Sequence, residues 1–334
     1  MKPSIKHLSE ITGFSAATIS NALNNKKGVN KKTVDIIQKA ARESGYNIKA
    51  KMSSIKFVIY KKMGHIFSDN PFFEPLIQGV VTAGNAEGYE TIVSNLVESD
   101  SEFIWQREQI LNDSSSGILL LATELSEEDV RVFENAVAPV IVVDGWFNNL
   151  SFNTVLMSNA DSVVHLVNYL VENNHEQIGY LQSKFMIQNF YDRRNGYRSA
   201  MYRNNLEVRK EFLVDLFPTM DGAYKDMDLY LSGNPKLPTA FVADNDIIAL
   251  GAMKAMRKHG IKIPDEISIV GFDDLPFCTV SSPALTTVKV YQYEIGKMAV
   301  RRLIDTSKND ALIHSKTEIC TKFIERDTVK KLKR

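Results

Sequence analysis

Residues 4–46 restrict the possible folds of this chain more than any other segment, because their pattern predicts a separate three-helix unit. Gly13 separates a first helical run from a second, and Ser15 and Asn30 are suitable N-caps for the second and third helices. A helix, a glycine-containing turn and a second helix form the helix-turn-helix pattern, whose second helix enters the major groove of DNA. The apolar residues that recur at spacings typical of inner helical faces are Leu8, Ile11, Phe14, Ile19, Leu23, Val34, Ile37 and Ala41.

Charge is distributed unevenly, although the 40 basic and 40 acidic side chains balance overall. Residues 1–62 carry 13 Lys and Arg against 3 Asp and Glu, which leaves 27 against 37 for residues 63–334. A basic segment on an acidic body favours a polyanion as the partner of that segment. The alternative is that the lysines only keep a small domain soluble, but their coincidence with the helix-turn-helix pattern favours nucleic acid.

The remaining residues, roughly 280 of them, are too many for one ordinary core, so we expect two lobes. Strands buried on both faces form unbroken apolar runs, and their alternation with amphipathic helices predicts an α/β fold with parallel sheets. The apolar runs lie at 56–60, 89–96, 117–122, 139–144, 177–182, 239–244 and 268–273. The amphipathic stretches between them lie at 72–87, 126–137, 160–173, 193–204 and 245–259.

Catalytic motifs find little support in this sequence. Cys278 and Cys320 lack a CxxC partner, and the six histidines show no metal-ligand spacing. Neither a GxGxxG after the first strand nor a GxSxG elbow is present. We therefore expect no enzyme, cofactor or metal. Without an apolar signal region after Met1 or a run of 18 apolar residues, we expect a cytoplasmic protein with no membrane partner.

Five segments, in this order, resemble the lactose-repressor (LacI/GalR-type) family of bacterial transcriptional regulators. They are SIKHLSEITGFSAATISNALN from residue 4, DNPFFEPLIQGV at 69–80, DRRNGYRSAM at 192–201, PTAFVADNDIIALGAMKAMRKHGIKIPDEISIVGFDD at 238–274 and PALTTV at 283–288. The resemblance covers nearly the whole chain. It implies a helix-turn-helix head at 1–47, a hinge at 48–55 and, at 56–334, a two-lobed core shaped like a periplasmic binding protein.

Within that core, the resemblance assigns about 56–157 and 288–308 to lobe 1, and about 158–287 and 309–334 to lobe 2. It implies a homodimeric repressor that binds double-stranded operator DNA and responds to a small sugar or sugar-like effector. The alternative is a cytosolic small-molecule binding protein whose basic head no longer recognises specific DNA. Ser15, Thr18 and Ser20 favour the first interpretation, since they suit groove and phosphate contacts.

The resemblance also implies that a helix from Ser15 to about Asn24 reads DNA. Alanine suits a thymine methyl group, serine and threonine suit phosphate, and asparagine pairs with adenine. Where relatives often have larger polar residues and an arginine, this chain has Ala16, Ala17 and Asn21, so a strong guanine contact is absent. For both alanines, plain helix surface is an equal alternative. The expected contacts in the head are Ser4, Ser15, Ala16, Ala17, Thr18, Ser20, Asn21 and Asn24.

The connector departs most from the family, since Ile48 stands where relatives usually have proline and the segment is several residues shorter. In one interpretation, lysines of this connector bind phosphates and an apolar side chain inserts into the minor groove. A plain basic tether is the favoured alternative. The candidate contacts are Lys49, Lys51 and Lys56 for phosphate, and Met52 and Ile55 for the wedge.

The effector site follows from strand ends, because ligands of open α/β sheets bind beyond the carboxyl ends of the strands. Carboxylates and an arginine suit hydroxyl groups, and an aromatic face covers a sugar ring. Alternatively, Asn245 caps a helix, and Arg193 pairs with Asp192 or a strand-end acid. The resemblance implies that the effector contacts Asn70, Phe72, Phe73, Asp144, Arg193, Phe217, Asn245 and Asp273. To these residues we add Trp146.

Overall fold

The computed structural model describes residues 4–23, 28–44, 52–67, 70–308 and 313–333. Its amino-terminal head contains the helices α1 (Ile5–Thr12), α2 (Ala16–Leu23) and α3 (Lys31–Glu43). They enclose a small core of their own, formed by Leu8, Ile19, Ala22, Leu23, Ile37 and Ala41. Ile11, which we expected in this core, is half exposed.

In each helix of the head, a side-chain oxygen at the start accepts a hydrogen bond from a backbone N–H of the first turn. Ser15 Oγ accepts a hydrogen bond from the Thr18 N–H at 3.1 Å, and Asn30 Oδ1 accepts one from the Lys32 N–H at 3.0 Å. Both expected caps are therefore confirmed. Ser4 has the same role for α1, where it accepts from the His7 N–H at 3.2 Å. Its side chain therefore stabilises the head as well as lying among the expected DNA contacts.

Lobe 1 is built on a six-stranded parallel sheet in the order β11-β5-β4-β3-β1-β2. Its strands are β1 (Ser54–Lys61), β2 (Glu90–Val97), β3 (Ser116–Leu121), β4 (Val140–Val143), β5 (Asn153–Met157) and β11 (Lys316–Ile319). Its helices are α4 (Phe73–Ala86), α5 (Phe103–Asn112), α6 (Glu127–Arg131), which continues as a 3-10 turn at Val132–Asn135, and α12 (Gln292–Lys308).

Lobe 2 is built on a four-stranded parallel sheet in the order β7-β6-β8-β9. Its strands are β6 (Ile178–Ser183), β7 (Leu213–Leu216), preceded by a 3-10 turn at Lys210–Phe212, β8 (Ala240–Ala243) and β9 (Ser268–Val270). Its helices are α7 (Ala160–Glu172), α8 (Gln188–Arg203), α9 (Met220–Ser232), α10 (Asp246–Lys258) and α11 (Phe277–Val280). β10 (Thr287–Lys289) pairs antiparallel with β12 (Lys322–Ile324).

Glycines let two helices of lobe 1 pack closely. A Cβ on Gly79 of α4 would lie 2.1 Å from the Tyr293 carbonyl oxygen, and one on Gly296 of α12 would lie 2.4 Å from that of Leu76. Any larger side chain would push α4 and α12 apart. Within the described ranges, no helix combines the length and apolar character that a membrane crossing requires.

The α/β class with parallel sheets is confirmed, but the expected hinge and lobe boundaries need correction. We expected 309–334 in lobe 2, yet β11 pairs with β5 in the sheet of lobe 1. Its side chains alternate between exposed and half-buried positions, so the sequence contains no unbroken apolar run to reveal it. The expected hinge at 48–55 also ends too late, because β1 already begins at Ser54.

The candidate minor-groove wedge at Met52 and Ile55, which we favoured less than a plain basic tether, is wrong. Met52 is buried beside Gly117, where its sulfur leaves no room for a Cβ, and Ile55 is fully buried in β1. The candidate phosphate contact Lys56 is paired within lobe 1, where its Nζ donates to Asp113 Oδ2 at 2.8 Å. The expected contacts Lys49 and Lys51 lie outside the described residues.

We predict that Ile37→Ala unfolds the head and leaves the two lobes folded. Truncating a fully buried isoleucine costs about 2–5 kcal/mol, which a core this small cannot absorb. Operator binding should fall by roughly tenfold or more, while the main calorimetric transition of the lobes persists. The matched control is Ile36→Ala, because Ile36 is 52% exposed and its loss should change neither measurement. Loss of the main transition in Ile37→Ala would contradict an independent head.

Candidate functional site

Residues that follow strands of both lobes surround a small cavity of about 20 Å³. Seven of the nine expected effector residues line it. Such a volume holds about one water molecule, so a ring-sized ligand requires the lobes or side chains to move. The lining residues are Ile66, Asn70, Phe72, Phe73, Thr123, Asp144, Ile187, Asn189, Phe190, Arg193, Asn245 and Asp273.

Arg193 of α8 is buried and held by two hydrogen bonds. Its Nε donates to Asn159 Oδ1 at 2.9 Å, and its Nη1 donates to the Asp244 carbonyl oxygen at 2.7 Å. The guanidinium also lies 3.6 Å from the ring centroid of Phe272. These contacts fix the guanidinium in one orientation before any ligand arrives.

Asp273, which follows β9, is the strand-end acid that faces this arginine. Its Oδ1 lies 3.7 Å from Arg193 Nη2, which is an ion-pair distance but too long for a hydrogen bond. This oxygen is buried and accepts no hydrogen bond from the residues that the structure describes. The backbone φ of 123° is one that favours glycine, and such strain is typical of ligand sites. Burial raises the carboxyl pKa well above its usual range, although the charge of Arg193 opposes the rise.

Asp144, which follows β4, connects the lobes. Its Oδ2 accepts a hydrogen bond from Thr123 Oγ1 at 2.5 Å within lobe 1. Across the cleft, Asn189 Nδ2 of α8 donates to Asp144 Oδ1 at 2.8 Å. Burial raises the pKa of this carboxyl to about 6, and the Thr123 hydrogen bond, the charge of Arg193 and the Asn189 hydrogen bond oppose that rise. Its protonation therefore changes in a pH range close to neutral.

Two asparagines of the cavity stabilise backbone. Asn245 Oδ1 accepts the Ile248 N–H at 3.0 Å, so the expected alternative of a cap on α10 is confirmed although the residue also lines the cavity. Asn70 donates to the Ile66 carbonyl at 3.1 Å and accepts from the Phe72 N–H at 3.1 Å. The loop after β1 is thereby folded against Phe72, whose ring touches the cavity.

Two expected effector residues lie outside the cavity. The ring of Phe217 packs 5.1 Å from those of Phe185 and His65, centroid to centroid, so it belongs to an aromatic contact between the lobes. Trp146 lines a neighbouring groove instead. The backbone bends at Asp144, whose φ is 59°, so nearness in sequence did not put Trp146 in the cavity.

Sequence reasoning missed three polar residues near the arginine: Thr123, Asn159 and Asn189. Thr123 follows the apolar run at 117–122, so the strand-end argument applied to Asp144 would have found it. Asn189 precedes Arg193 by four residues, one helical turn, which places both on one face of α8. Asn159 carries no comparable signal, because its position depends on where the chain crosses between the lobes.

Comparison with known proteins identifies the chain. Residues 167–329 match the family of periplasmic-binding-protein-like domains. The HTH-type transcriptional repressor CytR of Escherichia coli strain K12 is 30% identical over 299 residues, which are 87% of this chain and 86% of CytR. This chain belongs to the lactose-repressor family of bacterial transcriptional regulators. The expected family is therefore confirmed, and the protein is a DNA-binding transcriptional repressor, not an enzyme.

Two further similarities extend over the whole repressor. The HTH-type transcriptional repressor PurR of Vibrio campbellii is 29% identical over 98% of this chain and 99% of its own. A solved lac repressor dimer, bound to operator and the anti-inducer ONPF, is 22% identical and has a TM-score of 0.70 over 99% of this chain and 100% of that one. At that identity the second similarity shows the shared fold alone.

The second helix of the repressor's head presents a small polar surface. Ser15, Ala16 and Ala17 are exposed, while Thr18, Ser20 and Asn21 are half-buried. The opposite face carries the buried Ile19, Ala22 and Leu23. The Ser15 and Thr18 hydroxyls lie 2.8 Å apart, so they already share a hydrogen bond. Asn24 lies outside the described residues.

We predict that Asp144→Asn removes a pH dependence from the stability of the ligand-free repressor. The folded pKa of about 6 exceeds the ordinary 3.8, so the folded protein holds the proton more tightly than the unfolded one. That contribution is fully present below about pH 4 and is lost as the pH rises through about 6. The difference corresponds to about 3 kcal/mol.

Thermal denaturation between pH 4 and 7 measures this effect. The Asp144→Asn variant should be more stable than the natural chain at pH 7, with the difference narrowing toward pH 4. Asp100→Asn is the control, because Asp100 is exposed and its replacement should leave the profile unchanged. Parallel profiles for Asp144→Asn and the natural chain would contradict the raised pKa.

Proposed function

We propose that this repressor binds operator DNA as a homodimer, and that a carbohydrate-like effector in the interlobe cavity modulates its operator affinity. The effector proposal rests on Asp273 Oδ1, a buried acceptor beside a fixed guanidinium that receives no hydrogen bond from the described part of the chain. A hydroxyl group of a bound sugar satisfies that oxygen. The aromatic rings of Phe72, Phe73 and Phe190 offer apolar surface to the ring carbons.

The lobes supply different contacts to such a ligand. Asp144 belongs to lobe 1, whereas Arg193, Asn245 and Asp273 belong to lobe 2. A ligand that contacts both lobes stabilises one relative arrangement over others, and it shifts the equilibrium by its difference in affinity. Because the present cavity has room for about one water molecule, ring entry requires a rearrangement of the lobes or the lining side chains.

The connector to the head supports a switch that works by geometry. The lobe core already includes Met52 and Ile55, so the connector ends before Met52 and neither residue serves as a wedge. A change in lobe arrangement then alters the spacing of two heads on half-sites about one helical turn apart. The intact caps and exposed face of the head oppose the alternative of a vestigial DNA-binding unit. A repressor of this kind acts on the bacterial chromosome, in the cytoplasm.

We predict that Asp273→Ala weakens effector binding by about 2 kcal/mol, because a hydrogen bond beside the Arg193 guanidinium is lost in a desolvated site. Operator affinity without effector should stay nearly unchanged. Calorimetric titration measures both affinities. The titrant for effector affinity is the sugar that raises the melting temperature most in a screen, and the titrant for operator affinity is operator DNA. Asp215→Ala, an exposed acid of β7, is the control and should bind like the natural chain. Natural affinity in Asp273→Ala would remove this carboxyl from the site.

We also predict that the repressor protects two symmetrical half-sites and that its affinity falls steeply with salt. Each phosphate contacted contributes roughly one decade of affinity per decade of salt. Asn21→Ala should cost about 1–3 kcal/mol and relax the base preference at one position of each half-site. The control Asn149→Ala, exposed in lobe 1, should leave operator binding unchanged. Protection of a single half-site by a monomer would contradict the dimer.

A further inference from the structure

A second, larger space adjoins the cavity at the cleft between the lobes. We name it the outer groove; its volume is about 520 Å³. Lys62, Glu124 and Trp146 line it from lobe 1, and Met186, Gln188 and Tyr191 line it from lobe 2. Ligand sites in proteins occupy about 300–1,000 Å³, so the groove, unlike the cavity, already has the size of such a site.

The same segments line the cavity and the outer groove. Thr123 faces the cavity and its neighbour Glu124 faces the groove, while Ile187 lines both. After β4, likewise, Asp144 lines the cavity and Trp146 lines the groove. Once the cavity has widened to admit a first ring, a second ring linked to it therefore lies next to the groove.

The groove exposes apolar and aromatic side chains of both lobes. Met186 is 54% exposed and Tyr191 50% exposed, both on the side of lobe 2. Trp146 Nε1 donates to Asn148 Oδ1 at 2.9 Å, so its polar atom is satisfied and its ring offers apolar surface. Lys316 Nζ lies 5.3 Å from that ring but does not line the groove. Flat aromatic rings on both sides suit the apolar faces of a sugar ring.

The charged residues of the groove are already paired. Glu124 accepts the N–H groups of Lys62, Met63, Gly64 and Ile66 at 2.8–3.1 Å, so it holds the loop after β1 in place. Lys62 Nζ lies 2.7 Å from Asp129 Oδ2. Since this lysine is the cation among the described lining residues and is already neutralised, the groove favours an uncharged ring over a phosphorylated one.

We propose that the outer groove binds the second ring of a two-ring carbohydrate effector, packed against Trp146 and Tyr191, while the first ring occupies the cavity beside Asp273. This inference rests on the proposed carbohydrate effector and specifies its size and class. The second ring contacts both lobes, so it adds to the preference for one lobe arrangement.

Calorimetric titration of matched sugars tests the proposal: glucose against maltose and cellobiose, and galactose against lactose. At least one disaccharide should bind tenfold or more tightly than its monosaccharide. Trp146→Ala and Tyr191→Ala should each remove most of that advantage and leave monosaccharide affinity unchanged. Trp105→Ala is the control, because Trp105 is 61% exposed on α5 outside the groove and should alter neither affinity.

Fluorescence provides a second readout that does not depend on the stability of the alanine variants. The chain has 2 tryptophans, so Trp105→Phe leaves Trp146 as the sole reporter. The disaccharide should change its emission more than the monosaccharide does. Equal affinities within every pair, or unchanged emission with a bound disaccharide, would overturn the second-ring site but leave the carbohydrate effector standing. If no sugar binds, or if nucleosides bind in their place, both proposals fail.

Discussion

The incomplete pairing of Asp273 with Arg193 is the interaction around which the cleft is organised. Leaving a buried carboxylate oxygen without a hydrogen bond costs free energy, so it persists only where the surrounding structure enforces it. Hydrogen bonds to Asn159 and to the Asp244 carbonyl hold the guanidinium of Arg193 in place, so that its Nη2 stays 3.7 Å from Asp273 Oδ1. The fold therefore maintains an acceptor that a ligand can satisfy.

That arrangement depends on elements from distant parts of the chain. Parallel strands bring Asp144, Asp244 and Asp273 to the carboxyl ends of two sheets, where the cleft lies. Asp244 is occupied by structural bonds, since its carboxylate accepts from Tyr180 at 2.7 Å and from Arg194 at 2.8 Å. Asp144 instead reaches across to Asn189. The three strand-end acids thus have different roles. Asp244 stabilises lobe 2, Asp144 joins the lobes, and Asp273 keeps an oxygen that accepts no hydrogen bond from the described residues.

Much of this site was predictable from sequence, for identifiable reasons. Unbroken apolar runs located the buried strands, and the acids that follow them located the cleft. Asn245 illustrates why a residue's alternatives need not exclude each other, since it caps α10 and lines the cavity. The family resemblance supplied Arg193, which no periodicity singles out.

The predictions that were wrong also have local causes. Strand β11 lies at a sheet edge with alternating exposure, so its pattern is weak. Met52 and Ile55 stand among lysines, which made them resemble a DNA-contacting tether, yet strand pairing and packing at Gly117 bury them. Phe217 contacts His65 through a lobe-to-lobe arrangement that only tertiary structure specifies.

A crystal structure of the repressor with the sugar that stabilises it most shows whether Asp273 binds the effector. We expect a ligand hydroxyl within hydrogen-bond distance, about 2.5–3.0 Å, of Asp273 Oδ1, with the guanidinium of Arg193 contacting the same ligand. A bound sugar that leaves Asp273 Oδ1 without a hydrogen bond, or that lies away from both residues, would contradict it.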